Sequence, residues 1–159
     1  MAQKKSIKIS PRKLAVCMPE KNIKVVKYDD DFYMWSKTQA KLLKRGEFTK
    51  LDIANLTVEI ESLGRSEKRT LESFLINLLL HMLKIRYQPG KHTRSWDLSI
   101  KNSKHKAQVC LKENPSLKKL IPELIKEAYF TARLRAIDET GLEDKIFPND
   151  CPWKAKDLF

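Results

Sequence analysis

The sequence predicts an all-α bundle of about four helices, built on one long central helix. Three observations carry that expectation. Apolar residues recur at three- and four-residue intervals from Ile53 to Ile85, interrupted once at Glu67, the period of one helix face. Only four glycines occur in 159 residues, and a chain rich in Leu, Lys and Glu favours helix. Strand-like alternation is confined to "SIKIS" and "NIKVVKY" near the N-terminus, where no neighbouring segment offers a sheet to join. A chain of this length fits one domain plus an appendage and can bury a core without staples.

Residues 1–27 hold eight Lys/Arg and a single acidic residue, with Pro11 and Pro19. They read as a basic, flexible extension, with 28–159 as a single helical domain. "DDDFYMWSKTQAKLLKRG" reads as the first helix. Asp29 to Asp31 supply an N-cap and suit the positive dipole end, and Gly46 is the stop. Asp52 caps the second. With Ile60 at zero and 100° per residue, Ile53, Leu56, Leu63, Leu71, Phe74, Leu75, Leu78, Met82 and Ile85 all fall within about 60°, so they form one expected core stripe. The central helix either runs on to about Gln88 or kinks at Gly64–Ser66, because glycine costs about 1 kcal/mol in a helix interior. From Phe74 to Leu83 the opposite side is apolar as well, through Ile76, Leu79, Leu80 and Leu83. A segment apolar all round belongs at the centre of the protein or of a dimer.

"YQPGKHT" predicts a turn. A third helix follows from about Arg94, with Trp96, Ile100, Ala107, Cys110 and Leu111 inward. Asn114–Pro115 caps a fourth, re-started at Pro122, with Leu117, Ile121, Leu124, Ala128 and Ala132 inward and Gly141 as its end. In the tail "IFPNDCPWKAKDLF", Phe147 and Trp153 are expected to dock on the bundle.

Of the net charge of +12, +7 lies in residues 1–27 and +5 in the rest, so the domain itself is only mildly basic. Cys17, Cys110 and Cys151 are scattered and odd in number, with no C-x-x-C. That argues against a disulfide framework and for a reducing compartment, and with no apolar run near 20 residues and no secretory signal pattern it gives a cytoplasmic expectation. His81, His92 and His105 lack any metal-binding spacing, so neither a metal nor a cofactor is expected. There is no Gly-rich phosphate loop and no nucleophile elbow.

Several stretches together are similar to a known family. They are "YDDDFYMW" at 28–35, "LDIANLTVEIESLGRSEKR" at 51–69 and "HMLKIRYQP" at 81–89. Ser95–Trp96, "NPSLKKL" at 114–120, "EAYFTARLRAIDETGL" at 127–142 and "FPNDCPW" at 147–153 continue the series. In this order they resemble the bacterial family called domain of unknown function 29. The resemblance implies an all-helical protein and supplies no activity. The basic extension before Tyr28 departs from the family pattern.

The polar residues on the central helix pose the functional question. Glu67 lies near the middle of the stripe, where an unpaired buried carboxylate would be costly. Pairing with Arg65, Arg69 or Arg94 is the expected solution. His81 sits at the stripe's edge, 14 residues and about 21 Å further along the helix, so the two do not form an intrahelical pair. Glu61, Arg65, Glu67, His81 and Arg94 are the polar cluster that an enzyme would have to assemble in three dimensions. Arg94, Lys101 and Lys112, on the outer face of the third helix, are the candidate phosphate contacts of a nucleic-acid-associated protein. Without a catalytic motif, the preferred reading is a non-enzymatic interaction or regulatory module that binds a protein partner or a second copy of itself. No membrane association is expected.

Overall fold

The computed structural model describes residues 26–159. The expectation for the basic extension therefore lies almost wholly outside the described residues. By its internal contacts the chain divides into two compact units, one ending at Ile60 and one covering Glu61–Phe159. The helices are α1 (Phe32–Arg45), α2 (Ile53–Tyr87), α3 (Arg94–Glu113), α4 (Ile121–Thr140) and the short α5 (Ala155–Leu158). Short 3-10 turns supply the links, and the described residues contain no strand.

In the first unit, α1 begins and ends as its sequence dictates. The Asp31 carboxylate accepts the Met34 N–H at 2.9 Å, which satisfies one of the orphan donors of a helix start. Gly46 closes the helix in the left-handed region, at φ 72°, which only glycine adopts without strain. Asp52 then does two tasks. Its Oδ1 caps α2 through the Asn55 N–H at 3.2 Å. Its Oδ2 accepts the Trp35 indole N–H at 3.1 Å. The buried Gln39 carbonyl accepts the Asp52 N–H at 2.9 Å. Tyr28 donates its hydroxyl to Glu59 and meets Trp35 edge-on with ring centroids 4.9 Å apart. "YDDDFYMW" is therefore a knot of caps and rings that holds α1 to the start of α2.

In the second unit, α3 and α4 pack against the later part of α2. Its core is built from Leu71, Leu75, Leu78, Leu79 and Leu83 of α2, Ala107 and Leu111 of α3, and Leu124, Ala128 and Ala132 of α4. The all-round apolar stretch Phe74–Leu83 does form its centre: Leu79, Leu80 and Leu83 are buried from one side, Leu75 and Leu78 from the other. α3 runs antiparallel to α2, shown by Asn77–Ser103 and Glu67–Asn114. α4 runs parallel to α2, shown by Lys68–Glu127 and Lys84–Glu139. Small alanines at the contacts let the helices approach closely.

The tail docks as the sequence suggests. Phe147 is buried and meets Tyr87 at 5.2 Å between centroids. Arg133 clamps the segment, pairing with Asp144 at 2.6 Å and donating to the Phe147 carbonyl at 3.3 Å. Tyr129 donates to the Pro148 carbonyl at 2.7 Å, and burial pushes its phenol up to about 12.

Helix α2 is continuous through Gly64, so of the two alternatives the single long helix is the one observed. One expectation about α2 needs correction. The core stripe does not extend over its whole length: Ile53, Ile60 and Leu63 are 60%, 67% and 68% exposed. Length explains this. At 1.5 Å per residue, α2 with its 35 residues is about 52 Å long. α3 and α4 have 20 residues each, about 30 Å, and cannot line all of it. Glu67 and Lys68 are the first α2 residues whose side chains bond them.

Candidate functional site

Two features of α2 stand out: a polar seam through its buried part and the uncovered apolar stripe on its first part. The seam consists of Asn77, His81, Lys84 and Gln88, spaced four, three and four residues apart, which sets them on one face. Asn77 donates to Ser103 of α3 at 2.7 Å. Lys84 pairs with Glu139 of α4 at 2.6 Å, and its ammonium stands 4.6 Å from the centre of the Trp96 ring. Gln88 donates to the Thr140 carbonyl at the end of α4 at 3.3 Å. Each member except His81 thus fixes α2 against a particular neighbour, with the hydrogen bond that a buried polar group requires.

His81 differs. Its Nδ1 is buried and has no hydrogen-bond partner among the described residues. Burial, aided by the Lys84 charge, lowers its pKa, while Glu139 opposes the shift. The neutral form of the ring is thereby favoured, next to a lysine already engaged by an anion and an aromatic face.

The other expected cluster members are dispersed. Glu61 and Arg65 form an exposed i,i+4 pair at 3.4 Å, worth at most a few tenths of a kcal/mol. Glu67 is exposed and accepts the Asn114 amide at 2.9 Å, so asparagine stands where an arginine was expected. Arg94 is exposed at the start of α3. It shares the outer row of that helix with Lys101 and Lys112, both exposed.

Glu67 also borders a hollow of about 400 Å³ between α2 and α3, with Phe74, His105, Val109 and Cys110. Burial raises the Cys110 pKa, outweighing the Asn114 contact that lowers it. The thiol is thereby kept protonated, the reverse of an activated nucleophile. A second hollow of about 550 Å³ lies between α4 and the tail, lined by Ile125, Lys126, Cys151 and Trp153. There too burial raises the cysteine pKa. Among the described residues, no three metal-ligating side chains converge, and no helix is long and apolar enough to cross a membrane.

The sequence reading missed the seam as a unit, although its signal was present. Asn77 and His81 lie inside a segment otherwise apolar on all sides, Lys84 and Gln88 continue their line beyond it, and each must face a partner or water. It also missed Glu139, whose position on an exposed face of α4 gave no hint that it neutralises Lys84.

The family model described as domain of unknown function DUF29 matches residues 27–159. No curated protein and no solved structure matches the chain.

Proposed function

The chain belongs to the domain of unknown function DUF29 family, whose description names no activity, and from its geometry we propose that it is a non-enzymatic interaction module. The observation that carries this reading is the row Ile53, Ile60 and Leu63, each at least 60% exposed on one helix. Isolated exposed leucines are ordinary, but a contiguous apolar row on an otherwise ordered helix marks a surface used for docking. The polar seam supports the same reading from the other side. Its bonds fix the register of α2, α3 and α4, and it holds the half-buried His81 ring, whose Nδ1 has no hydrogen-bond partner among the described residues. Both cysteines outside the basic extension are held as thiols.

A photo-crosslinking residue at position 60, compared with one at the exposed, polar position 123, tests the proposal in cells that produce the full chain. Position 60 should yield protein adducts that disappear when Leu63→Lys is added, and position 123 should not. Equal yields at both positions, or yields indifferent to Leu63→Lys, would overturn it.

A nucleic-acid-associated protein is the second reading. Its support is the exposed outer row of α3, where Arg94, Lys101 and Lys112 share one line. That reading requires affinity for duplex or single-stranded nucleic acid that falls steeply with salt and weakens on Lys101→Glu.

A further inference from the structure

We propose that the partner of the exposed α2 stripe is a second copy of this chain, with the two stripes packed antiparallel about a two-fold axis between Leu56 and Ile60. The inference rests on the interaction-module reading above and names the occupant of its surface.

The first argument is self-complementarity. Ile53, Leu56, Ile60 and Leu63 are spaced three, four and three residues apart, the a and d positions of a heptad. Turned end over end, this set maps onto itself. Ile53 faces Leu63 of the partner subunit, and Leu56 faces Ile60 of the partner subunit. Every apolar residue of the row meets an apolar residue, and none is left over. An isologous contact of this kind closes on itself and leaves no free surface to propagate.

The second argument is the boundary of the stripe. At one end Asp52 caps the helix. At the other, the next residue on the same line is Glu67, whose carboxylate is held by Asn114 at 2.9 Å. A parallel pair would set Glu67 against Glu67 of the partner subunit, two like charges on a desolvated seam, which is unfavourable. The antiparallel register keeps both glutamates outside the paired stretch.

The third argument is access. One flank of the stripe is occupied: Asp52 is engaged by Trp35 and Glu59 by Tyr28. The other flank carries Thr57 and Gly64 next to the stripe, with the exposed Glu61 further round, and a Cβ on Gly64 would meet nothing within 4 Å. Small side chains there let a second helix come close. Four side chains per copy give a small interface, under about 1,200 Å² in total, which is the class of weak, reversible association.

The full chain is examined by sedimentation from low to high micromolar concentration, and by oxidation of two variants, Ile53→Cys and Leu63→Cys. The expected result is a reversible dimer that Ile60→Lys abolishes, with the melting temperature at low concentration unchanged. A mixture of the two cysteine variants should form a disulfide joining one to the other. Neither variant alone should exceed the background of the unsubstituted chain with its native cysteines. A chain that stays monomeric at every concentration overturns the proposal, as does a dimer that survives Ile60→Lys. Variants that crosslink as well alone as together overturn the antiparallel arrangement. If the chain is monomeric while position 60 still captures a different protein in cells, the second copy is excluded and the interaction reading stands. If position 60 captures nothing as well, both fall.

Discussion

The two parts of α2 have the same apolar period and end in opposite surroundings. From Leu71 to Leu83 the helix is lined by α3 and α4, and Leu71, Leu75, Leu79 and Leu83 have no exposed surface. From Ile53 to Leu63 the same spacing faces outward, with side chains roughly two-thirds exposed at Ile60 and Leu63. The period of a helix specifies which face is apolar; the length and placement of its neighbours decide whether that face is covered. A stripe that outruns its neighbours is either a cost in solubility or a surface with a use.

The sharpest way to break this comparison is to truncate one leucine in each part. Leu79→Ala removes a fully buried side chain and should cost about 2–5 kcal/mol, the transfer term plus a residual cavity. Leu63→Ala, measured by urea denaturation at low protein concentration, should stay within about 0.5 kcal/mol of the unsubstituted chain. Similar losses at both positions would mean that the first part of α2 is covered within one chain.

The polar side of α2 gives the second contrast. The Lys84 side chain is 11% exposed, whereas its partner Glu139 is 42% exposed. Removing the carboxylate by Glu139→Ala leaves a nearly buried ammonium with only the Trp96 face to stabilise it. Breaking a fully buried pair costs about 3–5 kcal/mol, and an exposed pair is worth about 0–1 kcal/mol. With one partner half exposed, a loss of about 1–2 kcal/mol is expected. Glu61→Ala, in the exposed pair with Arg65, is the control and should lose clearly less. Equal losses would show that the seam is solvated like the helix surface.

Much of this was legible beforehand, and the failures share a cause. Asp31, Gly46, Asp52 and Gly141 mark helix ends through local bonds and backbone angles, so short sequence windows suffice to find them. The buried faces of α3 and α4, and the docking of Phe147, follow from apolar spacing. What failed needed knowledge of distance between elements. The apolar stripe puts Glu67 in a core, yet α3 bonds it through Asn114 at its end, and the carboxylate stays exposed. Lysine is seldom buried, and the burial of Lys84 depends on Glu139 and Trp96, 55 and 12 residues away, which no local window shows. By the same reasoning Glu67→Ala belongs with the mild, exposed substitutions.

Gly64 sharpens the contrast from the exposed side. It sits in a continuous helix with nothing near its would-be Cβ, so Gly64→Ala should stabilise the chain by about 0.5–1 kcal/mol through the entropy of the unfolded state. Alanine keeps that flank of the stripe small, so self-association should persist. A destabilised variant would reveal a contact on this part of α2 within the monomer.

The smallest expected effect is the pH dependence contributed by His81. Its folded pKa lies below the ordinary histidine value, first because of burial and then because of Lys84. As pH falls through about 6.5, the unfolded chain takes up a proton on this ring before the folded chain does. Acidification therefore favours unfolding over the interval between the ordinary value and the depressed one. Above that interval the ring is neutral in both states and contributes no slope. The partial exposure of the ring and the attraction of Glu139 both limit the shift, which is why this effect ranks last. His81→Gln keeps a polar side chain on the seam and cannot titrate. Its stability should fall less than that of the unsubstituted chain between neutral and mildly acid pH, as read by urea midpoints at matched ionic strength. Parallel pH profiles for the two proteins would mean that the ring is solvated on both sides, and that the seam at His81 resembles the outer face of α3 more than the core beside it.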